Sequence, residues 1–172
     1  MFKLEHHIKI QEHPKVVWAF LANLPMSQGC RRWRRSFRWL GDLTPAVGSR
    51  YITEILFSGM SFRQEGKITR WEPPETMTLT QWNDKYPRMG LTHQLGYSIE
   101  SVEGQPQATT LHSTVIGNFV PRSMELVFKE MIRRSMIDHL VLLKRAIEST
   151  DKGDRLARQP AHPIAEAPAV GG

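Results

Sequence analysis

Residues 91–99 read LTHQLGYSI. In an extended strand successive side chains point to opposite faces. Leu91, His93, Leu95, Tyr97 and Ile99 therefore share one face, and Thr92, Gln94, Gly96 and Ser98 the other. The apolar set requires burial and carries His93 and Tyr97 inside with it. An imidazole titrates near neutrality, and a phenol donates and accepts hydrogen bonds. In phase on one buried face, the pair can orient a carbonyl, protonate it, or remove an acidic proton beside it. If the protein is an enzyme, His93 is the expected general acid/base and Tyr97 the group that holds the ligand's oxygen. The plainer assignment makes both of them wall residues bonded to neighbours.

Other chemistries lack their residues. His6 and His7 are adjacent and diverge on a strand, and His13 lies at a turn. His93, His112 and His139 have no Cys or second His at ligand spacing, and Asp138 beside His139 points elsewhere on a helix. There is no glycine-rich phosphate loop. Cys30 is the single cysteine, so no intramolecular disulfide forms. The residues require no metal and no cofactor, and a reducing, cytoplasmic location is expected.

Residues 30–39, CRRWRRSFRW, hold five arginines and three aromatic residues. Arginine over aromatic rings suits single-stranded nucleic acid, but no zinc finger, RNA-recognition signature or long basic helix accompanies the patch. No nucleic-acid partner is expected. Two readings stay open. One is a solvated basic surface. The other is an arginine collar that attracts a carboxylated or phosphorylated ligand, or makes weak contact with an anionic membrane. The net charge, +6 from 23 basic and 17 acidic residues, assists either without demanding it.

The chain's 172 residues suffice for one domain with a real core. The first ten residues, MFKLEHHIKI, lack the apolar core and cleavage site expected of a secretory signal, and no uncharged apolar run reaches the ~18–20 residues of a membrane span. Residues 4–10, LEHHIKI, read as a strand, and PKVVWAFLANL from Pro14 as a short helix. SQGCRRW reads as a second short helical segment or a loop. From Ser36 to Ser113, strand-sized runs alternate with turn chemistry such as DLTP, PPE and EGQPQ. A long helix follows Pro121. Met124, Phe128, Met131, Ile132, Ser135, His139, Leu140, Leu143 and Ile147 recur along it at three- and four-residue spacing. From Asp151 the chain is rich in Ala, Pro, Gly and charge, which predicts a domain over 1–150 and a disordered tail over 151–172. The pattern is α+β: a curved antiparallel sheet of about seven strands wrapped around a long C-terminal helix, with two short helices after the first strand.

The inner faces follow by alternation. Phe62, Gln64, Gly66 and Ile68 point in against Arg63, Glu65, Lys67 and Thr69. Thr109, Leu111, Ser113 and Val115 form another inner set. In residues 51–57, Tyr51, Thr53, Ile55 and Phe57 oppose Ile52, Glu54 and Leu56, and the two faces are too evenly apolar for alternation to choose.

Several stretches in this order resemble the START-like (SRPBCC) superfamily and its helix-grip fold, most of all the polyketide cyclase/dehydrase-type group. They are HPKVVWAFL, PAVGSRY, GKITRWEPPETMTL, TTLHSTV and LLKRAIES. Together they cover about residues 2–149. The resemblance implies a deep, mostly apolar cavity between sheet and helix that holds a hydrophobic or aromatic small molecule. Phe57, Phe62, Gln64, Leu95, Ser113, Met124, Phe128 and Met131 would then line it, and the arginines at 31, 32, 34, 35 and 38 would sit at the surface around its mouth. It implies either cofactor-free cyclisation, aromatisation or dehydration of a polyketide-like substrate, or non-catalytic carriage of a lipid or other hydrophobic ligand. A monomer or homodimer fits both.

Overall fold

A computed structural model describes residues 1–32, 34–41, 44–57, 60–83, 90–120 and 123–149. Ten elements follow one another: β1 (Phe2–Ile10), α1 (Pro14–Ala22), α2 (Leu24–Gly29), β2 (Arg34–Leu40), β3 (Arg50–Phe57), β4 (Met60–Glu72), β5 (Thr76–Asn83), β6 (Gly90–Val102), β7 (Gln105–Val120) and α3 (Ser123–Glu148). The strands make one antiparallel sheet in the order β1-β7-β6-β5-β4-β3-β2. Only β1 is displaced from sequence order, because α1 and α2 carry the chain from it to the far edge. The fold is α+β, a curved sheet with short helices after its first strand and a long C-terminal helix: the helix-grip arrangement.

The second short helix starts earlier than SQGCRRW suggests. It spans Leu24–Gly29, with the Asn23 side chain accepting from the Met26 N–H (3.4 Å) and Pro25 in its first turn. An Asn cap followed by a first-turn proline is a start signal. Leu24, expected on the face of the first helix, belongs to the second. Trp33, Pro121 and the expected tail over 151–172 lie outside the described residues.

α3 lies along β1 and β7. The N-terminal ammonium meets Glu125 at 3.1 Å. Near the other end Lys144 Nζ donates to the Lys9 carbonyl (2.6 Å), and the Gln11 N–H donates to Glu148 (2.7 Å). Met136, His139, Leu140, Leu143 and Ile147 form the buried stripe. They join Ile10, Leu21, Leu24, Leu111 and Val17 in the core.

Strand register arranges the inner residues in rows across the sheet. Ile68, Leu79, Leu95, Val115 and Leu4 make one apolar row. On one side of it runs Trp71, Met77, Tyr97, Ser113 and His6. On the other runs Tyr51, Gly66, Gln81, His93, Gly117 and Phe2, with Thr53 and Gln64 paired one step further. The sheet thus presents a polar band at one end of its inner face.

Candidate functional site

The polar band is built by residues in strand phase with apolar ones. Thr53, Gln64, Gln81 and His93 are all buried, and so is Ser113 across the apolar row, beside Tyr97. Tyr51 shows how tightly it is organised. Its ring crosses Gly66 of the neighbouring strand, where a Cβ would run into it, and its hydroxyl accepts from Gln81 Nε2 on the strand beyond (2.8 Å). Phe37 stacks on the Tyr51 ring at 4.9 Å, and Trp39 meets both rings edge-on. Burial pushes the Tyr51 phenol up to about 12. Gln81 shares a face with Met77 and Leu79. That in-phase glutamine was the signal for it in the sequence.

Much of the band's hydrogen-bonding capacity is unmet. Thr53 Oγ1, Gln64 Oε1, His93 Nδ1 and Ser113 Oγ are buried with no partner among the described residues, as are both amide atoms of Gln28 on α2. Native interiors leave few such groups unpaired, since each costs about 1–3 kcal/mol. So many along one inner face are an unusual concentration, and a polar occupant would satisfy them.

Two arginines enter this interior, contrary to the expectation that the whole 31–38 group sits at the surface. Arg31 Nη2 donates to the Tyr97 hydroxyl at 3.4 Å. Arg34 turns inward through a β-bulge. Arg34 pairs with Ile55 and Ser36 with Glu54, so Arg35 is the extra residue and the phase shifts by one. Without the bulge Arg35 would take the inner position that Arg34 occupies. The Arg34 guanidinium is lowered to about 9, first by burial and then by Arg31. Arg35 and Arg38 are exposed as expected.

Tyr97 has a partner that alternation along one strand cannot reveal. Its hydroxyl lies 2.8 Å from His139 Nε2 on α3. An arginine can only donate, so the phenolic oxygen accepts from Arg31, while the direction of its bond to His139 Nε2 is set by the imidazole tautomer. Burial, then Arg31, pushes the His139 imidazole well below its ordinary range, while the Cys30 backbone favours the proton without forming a full hydrogen bond. His93 sits four residues from Tyr97 on the same strand, about 13 Å away in extended chain. The two can therefore touch different ends of one ligand rather than a shared proton. The expectation that His93 titrates near neutrality fails. Burial, then Arg31 and Arg34, lowers it to about 3, so at neutral pH it is an uncharged imidazole.

Of the other expected lining residues, Gln64, Leu95 and Ser113 are buried, and Phe62 and Met131 are half-buried. The side chains of Phe57, Met124 and Phe128 lie outside the described residues. Among the described residues no three His, Cys, Asp or Glu side chains converge to hold a metal ion, and no helix is long and apolar enough to cross a membrane.

No protein-family model matches the chain, and no curated protein does. Solved structures do match. A conserved protein from Geobacillus kaustophilus superposes with a TM-score of 0.69 at 11% identity, over 87% of this chain and 97% of that one. A protein from Mesorhizobium loti gives 0.65 at 15%, over 87% and 99%. The Zhui aromatase/cyclase from a Streptomyces species gives 0.70 at 12%, over 87% and 94%. At such identities the likeness is one of fold, and it is the helix-grip fold that the resemblance to the START-like superfamily implied.

Proposed function

We propose that the protein binds an oxygen-bearing aromatic or polyketide-like small molecule between the sheet and α3, and acts on it without a cofactor. The observation that carries the proposal is the set of buried polar atoms on the inner face that have no partner among the described residues: Thr53, Gln64 and His93 at one end, and Ser113 beside Tyr97 across the apolar row. A molecule with carbonyl and hydroxyl groups along a planar body would satisfy them, whereas an alkyl chain would leave them unpaired. The fold shared with an aromatase/cyclase supports the same reading. Tyr97 is the proton-handling group. With His139 in the tautomer that leaves Nε2 unprotonated, Tyr97 passes its proton to that nitrogen as it takes one from a carbon beside a ligand carbonyl, with the Arg31 guanidinium alongside. His93, held neutral, orients the ligand's far oxygen.

One observation favours the carrier reading. Both buried histidines are held unprotonated, so neither is an acid at neutral pH. Titration with a trihydroxyanthraquinone and with palmitate, followed by tryptophan fluorescence, separates the ligand classes. The quinone is expected to bind at least tenfold more tightly, with affinity lost in Tyr97→Phe. Equal or tighter palmitate binding, indifferent to Tyr97→Phe, would overturn the proposal. Turnover of a linear poly-β-ketone thioester by the native protein, absent in Tyr97→Phe, separates enzyme from carrier.

A further inference from the structure

The same two arginines have a second side. An open concavity of about 870 Å³ lies between the C-terminal end of α2 and the C-terminal half of α3. Arg31, Arg32 and Arg34 line one wall and Arg145 the other, with Cys30 and Leu142 giving apolar surface between them. Among the described residues the one carboxylate there, Glu148, is already engaged by Lys144 Nζ (2.8 Å) and the Gln11 N–H. Among the described residues, none of the four arginines is paired with an Asp or Glu. Arg31 Nε and Arg34 Nε and Nη1 are shut away from solvent with no acceptor. A guanidinium presents five N–H donors in a fixed fork that matches a carboxylate or phosphate, and such donors are strongest where water is excluded.

We propose that this cleft is a binding site for a small organic anion, a carboxylate or phosphate monoester on an apolar body, gripped by Arg31, Arg34 and Arg145. The concave shape suits a discrete molecule rather than a flat lipid surface or a nucleic-acid strand. Arg31, Arg32 and Arg34 bring positive charge from the α2 side, Arg145 closes from the helix side, and Leu142 covers the apolar body. The site rests on the cleft's own charge and stands whether or not the interior band takes a quinone-like ligand.

The test is calorimetric titration of the full chain with 1-naphthyl phosphate, 1-naphthoate and the uncharged 1-naphthalenemethanol. At least one anion is expected to bind, more weakly at high salt, and the alcohol not at all. Which anion binds identifies the source chemistry, phosphate or carboxylate. Arg145→Gln, an exposed change that should leave the fold intact, is expected to weaken the anion about tenfold, the loss of one charge-assisted contact. Arg145→Lys should recover part of it. Trihydroxyanthraquinone binding is the control and should be unmoved by Arg145→Gln, so failure here and failure of the proposed function are distinguishable. Equal binding of the alcohol, or anion binding indifferent to Arg145→Gln, would overturn the proposal. So would binding to phosphatidylglycerol vesicles with none to either soluble anion, which would make the face a membrane contact.

Discussion

Under the C-terminal half of α3, the inner sheet surface and the helices meet as Ile10, Leu111, Leu140, Leu143 and Ile147, none more than 1% exposed. A few rows along the same surface stand Thr53, Gln64, Gln81 and His93, also buried but polar, with three of the four holding an atom unpartnered among the described residues. Both regions belong to one continuous sheet, so strand geometry does not separate them. What differs is the material. The first is a core whose groups satisfy one another, and it fixes where α3 lies. The second is polar, and only Gln81 in it finds its partner, the Tyr51 hydroxyl, among the described residues. Stability should therefore reside in the first region and binding in the second, and four perturbations test that division.

The largest expected effect is acid. His93 is lowered to about 3 by burial and by Arg31 and Arg34, and His139 is lowered too. The unfolded chain takes up a proton on each near its ordinary value, while the folded protein does not. Stability is thus intact above about pH 6.5 and is lost as pH falls toward 3. For His93 alone the loss is on the order of 4 kcal/mol, a large part of a typical domain's stability. Chemical denaturation at pH 7 and pH 4.5 should show much of it. His93→Gln should flatten the pH dependence. An unchanged slope would mean that His93 is not held neutral by its surroundings.

Next comes Leu143→Ala in the packed region. Deleting a fully buried leucine removes its transfer energy and leaves a cavity, about 3 kcal/mol together, or roughly 6–12 °C in Tm for a domain of this size. Ligand binding in the polar band should survive wherever the protein remains folded. A loss of affinity without a loss of Tm would blur the division.

The sequence shows these regions unequally. The phase of β6 was readable because Leu91, Leu95 and Ile99 pull one way, and His93 and Tyr97 are both buried. The phase of β3 was not, because both faces are apolar, and indeed Tyr51 and Ile52 are both buried. His139 looked like one more member of a helical stripe. Its bond to Tyr97 spans 42 residues, and no periodicity within either element encodes it. Arg34 was read as a surface residue because a single extra residue, invisible to a two-residue repeat, decides which of two adjacent arginines turns inward. Patterns within one element were legible, and pairings between elements were not.

Gly66→Ala probes the border. The added methyl meets the Tyr51 ring, which the stacked Phe37 holds in place, so the ring must leave and its bond to Gln81 breaks. Overpacking of this kind costs about 2 kcal/mol. In a Tyr51→Val background, with the ring gone, the same change should cost almost nothing, a coupling that a double-mutant cycle measures. Equal costs in both backgrounds would show that the glycine is needed for the strand and not for the ring.

The smallest expected effect on stability is the sharpest test of the division. Gln64 lies at the outer end of the polar band, paired in register with Thr53, and its Oε1 has no partner among the described residues. Gln64→Leu keeps the volume and removes the unmet acceptor. In an ordinary core a buried polar group is bonded, and its replacement strands the partner at about 1–3 kcal/mol. Here that acceptor strands nothing, so Tm should stay level or rise, within about 1 kcal/mol. The affinity for a trihydroxyanthraquinone should fall about tenfold, one hydrogen bond's worth. A clear drop in Tm with unchanged affinity would make Gln64 part of the packing, and the polar band a badly satisfied core rather than a site.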